Sequence, residues 1–199
     1  MSLEASRPKS DTAQIGPGTL VLVVGASGVG KDALLAAARE HLSNDRRFVF
    51  PERAVTRPPN NAEHHASLSE LAFRTAILDG AFALTWEAHG LHYGIPSAID
   101  DMIRGDQTVI VNASRTIVPL ARRRYARVSV VLVDCAPHIR AARLALRGRE
   151  AADRIEARLA REIPAFDPTE ADMRIDNSGA LAIGMRALLD HLKSLPKTT

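Results

Sequence analysis

Gly25-Ala26-Ser27-Gly28-Val29-Gly30-Lys31 sets glycines and a lysine at the spacing G-x-x-x-x-G-K. Glycines so spaced let backbone N–H groups curl inward around an anion. A helix beginning straight afterwards points its positive end at the same place. Lys31 adds a mobile cation for the outer oxygens of a phosphate chain. The chemistry this predicts is capture of ATP by Gly25, Ala26, Ser27, Gly28, Val29, Gly30, Lys31 and Asp32. The residue after the lysine is ordinarily Ser or Thr, whose hydroxyl holds Mg2+; here it is Asp32. A carboxylate is a hard-oxygen ligand for Mg2+, directly or through water. It is equally an acid favoured in a helix first turn, so two readings stand.

A second set of residues suits an anionic acceptor. Thr56-Arg57-Pro58-Pro59 follows a short strand-like stretch. The proline pair stiffens the loop, and Arg57 is a candidate fork for an acceptor phosphate, with an ordinary surface arginine as the alternative. Glu63-His64-His65 suits hydrogen bonding to sugar hydroxyls or phosphate, or a plain solvated loop. No Cys or further His lies at ligand spacing, so zinc is not expected there. His89 to Gly94 reads as a turn presenting Tyr93 inward, as ligand or as packing; Trp86, the only tryptophan, reads as core. Asn112, Ser114 and Arg115 stand at the C-terminal end of a buried strand, the edge that lines the crevice of open parallel sheets. Asp134 ends another strand, as an acid near the metal or as a helix N-cap.

Arg143, Arg147 and Arg149 crowd the end of one helical stretch. Arg154, Arg158 and Arg161 fall at i, i+4 and i+7 on the next, along one face. Joined at Gly148, these arms form a candidate lid over about residues 147–158. Its cations, Arg147, Arg149 and Arg158 first, would stabilise charge on a moving phosphoryl group, and its closure would exclude water. A solvated arginine face is the alternative.

The elements that must position these residues are legible in the apolar pattern. Thr19 to Val24 is a continuous β-branched and leucine run, as expected of a strand buried on both faces. Asp32 to Leu42 carries leucine and alanine at helical spacing. Thr108–Val111 and Val128–Val133 read as further core strands, with helical patterns at about 96–104, 116–125, 137–147, 152–163 and 180–194. Alternating strands and helices predict an α/β fold with a mainly parallel sheet. Residues 48–95 are polar and broken by proline and glycine, and read as an insertion carrying the acceptor site. Residues 1–17 read as a flexible tail, and 18–199 as one domain.

Bulk composition narrows the classes. The 199 residues are 46% hydrophobic and 25% charged, enough to bury one core, but only 4% aromatic, so that core rests on Val, Ile, Leu and Ala. Lysine is confined to Lys9, Lys31, Lys193 and Lys197. The arginine excess suits bidentate phosphate recognition, with genome composition as the plain alternative. Net charge is +3, the arginines are dispersed and no aromatics interleave with them, so a nucleic-acid partner is not expected. One cysteine, Cys135, excludes an internal disulfide framework. With no membrane-length apolar run and no signal-peptide core, a cytoplasmic location without a membrane partner is expected. Monomer and homodimer are both left open.

The order P-loop, T-R-x-P, H-G-x-x-Y-G, R-L-x-x-R-G-R and I-x-x-R-L-x-R resembles the guanylate-kinase-like branch of the nucleoside monophosphate kinases, over residues 19 to about 193. The closer resemblance is to the ribose 1,5-bisphosphate phosphokinases of bacterial phosphonate breakdown. That family also shows G-K-D in the loop, E-x-H before an L-S-E helix start (Glu63 to His65, then Leu68-Ser69-Glu70), and V-N-x-S-R (Val111 to Arg115). The resemblance implies a P-loop three-layer fold with an acceptor-binding insertion and a lid. It implies ATP with Mg2+, and a phosphorylated sugar as acceptor, converted to 5-phospho-α-D-ribose 1-diphosphate. It also implies acceptor contacts from Thr56, Arg57, Glu63, His65, Tyr93, Asn112, Ser114 and Arg115. Asn60 stands where guanylate kinases carry a second arginine, and Thr85 where they carry an acid for the guanine edge. A site lacking those partners should reject guanine. The alternatives are a guanylate or other nucleoside monophosphate kinase, and a silent guanylate-kinase-like binding module, which the intact loop disfavours.

Overall fold

The computed structural model describes residues 13–57, 65–88, 90–146 and 166–196. Its elements in chain order begin with β1 (Thr19–Val24), α1 (Lys31–His41), β2 (Phe48–Val49), β3 (Arg53–Val55), β4 (His65–Ser67) and α2 (Glu70–Leu78). They continue with β5 (Phe82–Ala88), β6 (Leu91–Pro96), α3 (Ile99–Arg104), β7 (Thr108–Asn112) and α4 (Val118–Arg124). The last are β8 (Val128–Asp134), α5 (Pro137–Leu146), β9 (Met173–Asp176) and α6 (Leu181–Ser194).

Five strands form an all-parallel sheet in the order β2-β7-β1-β8-β9. β1 is central and buried at every position. Successive side chains of a strand point to opposite faces, so β1 serves two cores at once. Leu20, Leu22 and Val24 join Val109, Val111, Val130 and Leu132 under α3 and α4, with Ile99, Ile103, Val118 and Ala121 facing them. Val21 and Val23 join Ile110, Val131 and Val133 against Leu34 and Ala38 of α1 and Leu188, Leu189 and Leu192 of α6. A strand covered on both faces shows no polar alternation, which is why its sequence reads as an unbroken apolar run.

A second sheet, in the order β4-β3-β6-β5, stands apart from the first. β6 runs antiparallel to both β3 and β5, while β4 pairs parallel with β3. α2 is capped by Ser69, whose Oγ accepts from Ala72 N, and is seated by the buried Phe73 stacked 4.8 Å from Phe82. This sheet occupies most of the predicted insertion, but not its start. Phe48–Val49, read from sequence as its beginning, instead pairs with Thr108–Val109 at the edge of the central sheet. Two residues carry no periodic signal, so only the pairing reveals them as a strand.

Other departures are local. Residues 13–17, read as part of the tail, lie along the domain: Ile15 N donates to Arg124 O and Ala126 N donates to Ile15 O, both at 2.9 Å, with Ile15 packed on the core. The helix expected from residue 96 begins at Ile99, because β6 runs through Pro96. The stretch expected at 116–125 divides into a 3-10 turn, Arg115–Ile117, and α4. Residues 1–12, the helix expected at 152–163 and the candidate lid at 147–158 lie outside the described residues.

Candidate active site

β1 delivers the chain to the loop at its C-terminal end, and α1 leaves from it. Gly25, Gly28 and Gly30 all have positive φ. Two of them have no room for a side chain. A Cβ on Gly25 would lie 2.1 Å from Val133 O, and one on Gly30 would lie 2.4 Å from Asn177 Nδ2. Glycine is thus required at both by close approach as well as by backbone conformation. Val29 is fully buried and anchors the loop in the core. Lys31 Nζ donates to Gly25 O at 2.8 Å and Ala26 O at 2.9 Å, so its ammonium spans the loop.

The loop's outward carbonyls are held from α5 and from the turn after β9. Arg140 Nε donates to Ser27 O at 2.9 Å. Val29 O accepts from Asn177 Nδ2 at 2.8 Å and from Arg143 Nη1 at 3.2 Å. Arg143 Nη2 donates to Asn177 O at 2.9 Å, and Asn177 N donates to Asp134 O at 2.8 Å. Tying carbonyls outward leaves the neighbouring N–H groups to face the other way, as a phosphate nest needs. Asn177 is 3% exposed, and its Oδ1 has no hydrogen-bond partner among the described residues. Neither Arg140 nor Asn177 stands out by spacing, because each acts from across more than a hundred residues of chain.

At the C-terminal end of β7, Asn112 Nδ2 donates to Asp32 Oδ1 at 2.6 Å. Asp32 also lies 3.7 Å from Arg53 Nη2 of β3, and Arg53 Nη1 reaches Asn112 O at 3.4 Å. Arg53, another residue without a sequence signal, therefore ties the loop to the second sheet. Ser114 Oγ accepts from Thr116 N at 3.3 Å and from Thr116 Oγ1 at 2.9 Å, capping the turn that carries Arg115. Arg115 is half-buried, and its Nε has no hydrogen-bond partner among the described residues. Burial first, and the Arg140 charge second, pull its guanidinium below the ordinary arginine value, with Asp134 opposing them. An anion arriving between Arg115 and Arg140 relieves both penalties. Asp134 does not cap α5: its Oδ1 accepts from Cys135 N, while Ala136 N donates to Ser178 Oγ.

On the second sheet, Thr56 exchanges both backbone and side-chain bonds with His92, donating from N to His92 O and accepting on Oγ1 from His92 N. Arg57 follows it with Nε buried. Tyr93 pairs across the sheet with Val55 and Trp86. Its ring stacks on Trp86 at 5.1 Å and 7°, with the Arg53 guanidinium 5.5 Å from its centroid. Trp86 is thus half core and half platform for Tyr93, rather than core alone. His65 opens β4 opposite Arg53. Glu63, Arg147, Arg149 and Arg158 lie outside the described residues.

The donor set can be tested against a metal. Among the described residues no three His, Cys, Asp or Glu side chains gather at one point. Asp32 brings a carboxylate to the first turn of α1, 28% exposed. Mg2+ keeps several waters and is usually held by one or two carboxylates with substrate phosphates. Asp32 fits that ion arriving with a triphosphate, and does not fit an all-protein metal cage.

Comparisons with known proteins agree with this geometry. Ribose 1,5-bisphosphate phosphokinase PhnN of Brucella melitensis is 46% identical over 184 residues, covering 92% of this chain and 95% of the relative. The protein of that name from Methylobacterium radiotolerans is 44% identical, covering 89% and 99%, and that from Bradyrhizobium diazoefficiens 41%, covering 98% of each. No protein-family model matches the chain. Among solved structures, guanylate kinase from Anaplasma phagocytophilum superposes with a TM-score of 0.62 at 14% identity, covering 89% of this chain and 85% of that one. A sugar kinase from Janibacter sp. HTCC2649 gives 0.52 at 20% identity, covering 90% and 97%. At those identities the structures speak for the fold alone. By sequence identity across nearly its whole length, on a P-loop kinase fold, the chain belongs to the ribose 1,5-bisphosphate phosphokinase family.

Proposed function

We propose that this enzyme moves the γ-phosphoryl group of ATP onto the 1-phosphate of α-D-ribose 1,5-bisphosphate, giving ADP and 5-phospho-α-D-ribose 1-diphosphate. The observation that carries the reading is the meeting of the two halves at Asp32: the phosphate loop and the acceptor sheet touch through Asp32, Asn112 and Arg53. Relatives named for this reaction at 41–46% identity support it.

In this reading, the N–H groups of Gly25, Ala26, Ser27, Gly28, Val29 and Gly30 hold the β-phosphate, and Lys31 swings to the β- and γ-oxygens. Asp32 holds Mg2+, directly or through water, and the ion supplies positive charge to the phosphate oxygens. Thr56, Arg57, Glu63, His65, Tyr93, Asn112, Ser114 and Arg115 orient the sugar bisphosphate. Arg147, Arg149 and Arg158 close over the transferring group. The acceptor is a phosphate, already ionised near pH 7, so the chain needs no general base. What remains for it is alignment and charge stabilisation, which is where phosphoryl transfer draws its rate. We place the enzyme in the cytoplasm, where ATP is supplied and a lone thiol such as Cys135 stays reduced.

An ADP-release assay with ribose 1,5-bisphosphate, GMP and AMP as separate acceptors tests the reading. Turnover with the sugar bisphosphate and none with either nucleotide is expected. Turnover of GMP or AMP with the sugar inert would reassign the acceptor.

A further inference from the structure

Asp32 Oδ1 is shared. It accepts from Asn112 Nδ2 at 2.6 Å and lies 3.7 Å from Arg53 Nη2. The same guanidinium reaches Asn112 O and lies over Tyr93, which is stacked on Trp86. One unbroken chain of contacts therefore runs from the first turn of α1 into the acceptor sheet. The Arg53 and Asp32 side chains are 15% and 28% exposed, so solvent ions screen this attraction less than they would a surface pair.

A divalent cation at Asp32 changes the balance. It brings two positive charges to a carboxylate already facing a third. Arg53 is then repelled by the metal and loses its share of Asp32. On the side of the smaller sheet it already lies over the face of Tyr93, which favours a cation electrostatically. We infer that Arg53 is the coupling residue of the site: metal–nucleotide binding at Asp32 releases its guanidinium to the acceptor sheet, where it meets an anionic acceptor. Arg53 is a positioning residue for the nucleotide half and a specificity residue for phosphorylated acceptors. The inference rests on the phosphotransferase reading of this site, but not on which phosphorylated acceptor is used. It makes binding of the two substrates synergistic, since a shared element biased by one ligand must report to the other.

Trp86 is the only tryptophan of the chain, and it touches the ring that carries Arg53. Its fluorescence therefore reads the release directly, without turnover. The unaltered protein is titrated to saturation with Mg·ADP, and separately with ADP in EDTA, with calorimetry confirming uptake in both arms. Trp86 emission is expected to change with Mg·ADP and to hold steady with ADP alone. Arg53→Gln should bind Mg·ADP yet lose the metal-dependent change, and Arg53→Lys should retain part of it. With ribose 1,5-bisphosphate as the probe, its Kd should fall about fivefold or more when Mg·ADP is present, the lower end of ordinary coupling. In Arg53→Gln that ratio should approach one. Calorimetric uptake of Mg·ADP with an unchanged Trp86 signal overturns the inference, as does full coupling in Arg53→Gln. If Trp86 responds as expected but ribose 1,5-bisphosphate never binds, the acceptor assignment fails while the coupling stands. The comparison with and without metal uses no variant, so it holds even if a substitution disturbs β3.

Discussion

Lys31 occupies the one position where a flexible ammonium can reach both the loop and whatever the loop holds. Its bonds to Gly25 O and Ala26 O hold it across the loop, and the proposed mechanism has it exchange these carbonyls for phosphate oxygens. Lys31→Ala removes that cation where negative charge shifts during transfer. We expect kcat to fall by about 10²–10³-fold, the loss typical of one electrostatic donor. Circular dichroism should show the fold unaltered. Arg57 is proposed to act at the other substrate: Arg57→Ala should raise the acceptor KM well above its effect on the ATP KM in steady-state kinetics. An unmoved acceptor KM would put the acceptor elsewhere. At this scale the glycine–lysine spacing was fully legible, because backbone geometry dictates it locally. The partners of Asp32 were not: Asn112 lies 80 positions away, and Arg53 joins it only through a second sheet.

The elements carry their own chemistry, away from the loop. Between α3 and α4, the buried Asp100 accepts from Tyr125 OH at 2.6 Å and pairs with Arg124. Burial, reinforced by Asp100, pushes the Tyr125 hydroxyl well above its ordinary value, so it stays a donor. Tyr125 precedes β8, at the end of the sheet opposite the loop. Tyr125→Phe leaves Asp100 short of a donor and should cost about 1–3 kcal/mol in denaturant unfolding. The ATP KM should not move. On the other face, His191 of α6 shares a 2.8 Å hydrogen bond with the buried Ser129 of β8. Burial lowers His191 below its ordinary value, and Asp172 only partly offsets this. The folded chain therefore takes up this proton less readily than the unfolded chain. Its contribution is complete above about pH 6.5, the unfolded value, and is lost as pH falls below it. Melting temperatures at pH 7.5 and 5.5 should drop more for the native sequence than for His191→Gln. Of the elements themselves, β1 was read to its last residue, and β7 and β8 each run one residue further than their apolar stretches, to Asn112 and Asp134. β3 is the short strand-like stretch expected before Thr56, whereas β4 was not expected, because a three-residue strand with polar neighbours exists only through its pairing. Ser69 and Glu70 marked the start of α2 only through the family resemblance.

In the whole molecule, the proposed function divides between two sheets. The parallel sheet, sealed on both faces, fixes the loop at the C-terminal end of its central strand, where open α/β sheets place ligands. The smaller sheet presents Thr56 and Arg57 just past β3 and Tyr93 on β6, with Arg53 as its link to Asp32. The parallel architecture was foreseeable from alternating apolar runs and helical spacing. The meeting of Arg53 with Asp32 was not, since it depends on contacts between distant segments. The central claim is that these halves together build a diphosphate on a sugar. Phosphorus NMR of the enzyme with ATP, Mg2+ and ribose 1,5-bisphosphate tests it directly. The sugar 1-phosphate resonance should be replaced by a coupled diphosphate pair as ADP accumulates. Persistence of the 1-phosphate signal, in folded enzyme that takes up Mg·ATP by calorimetry, would contradict it.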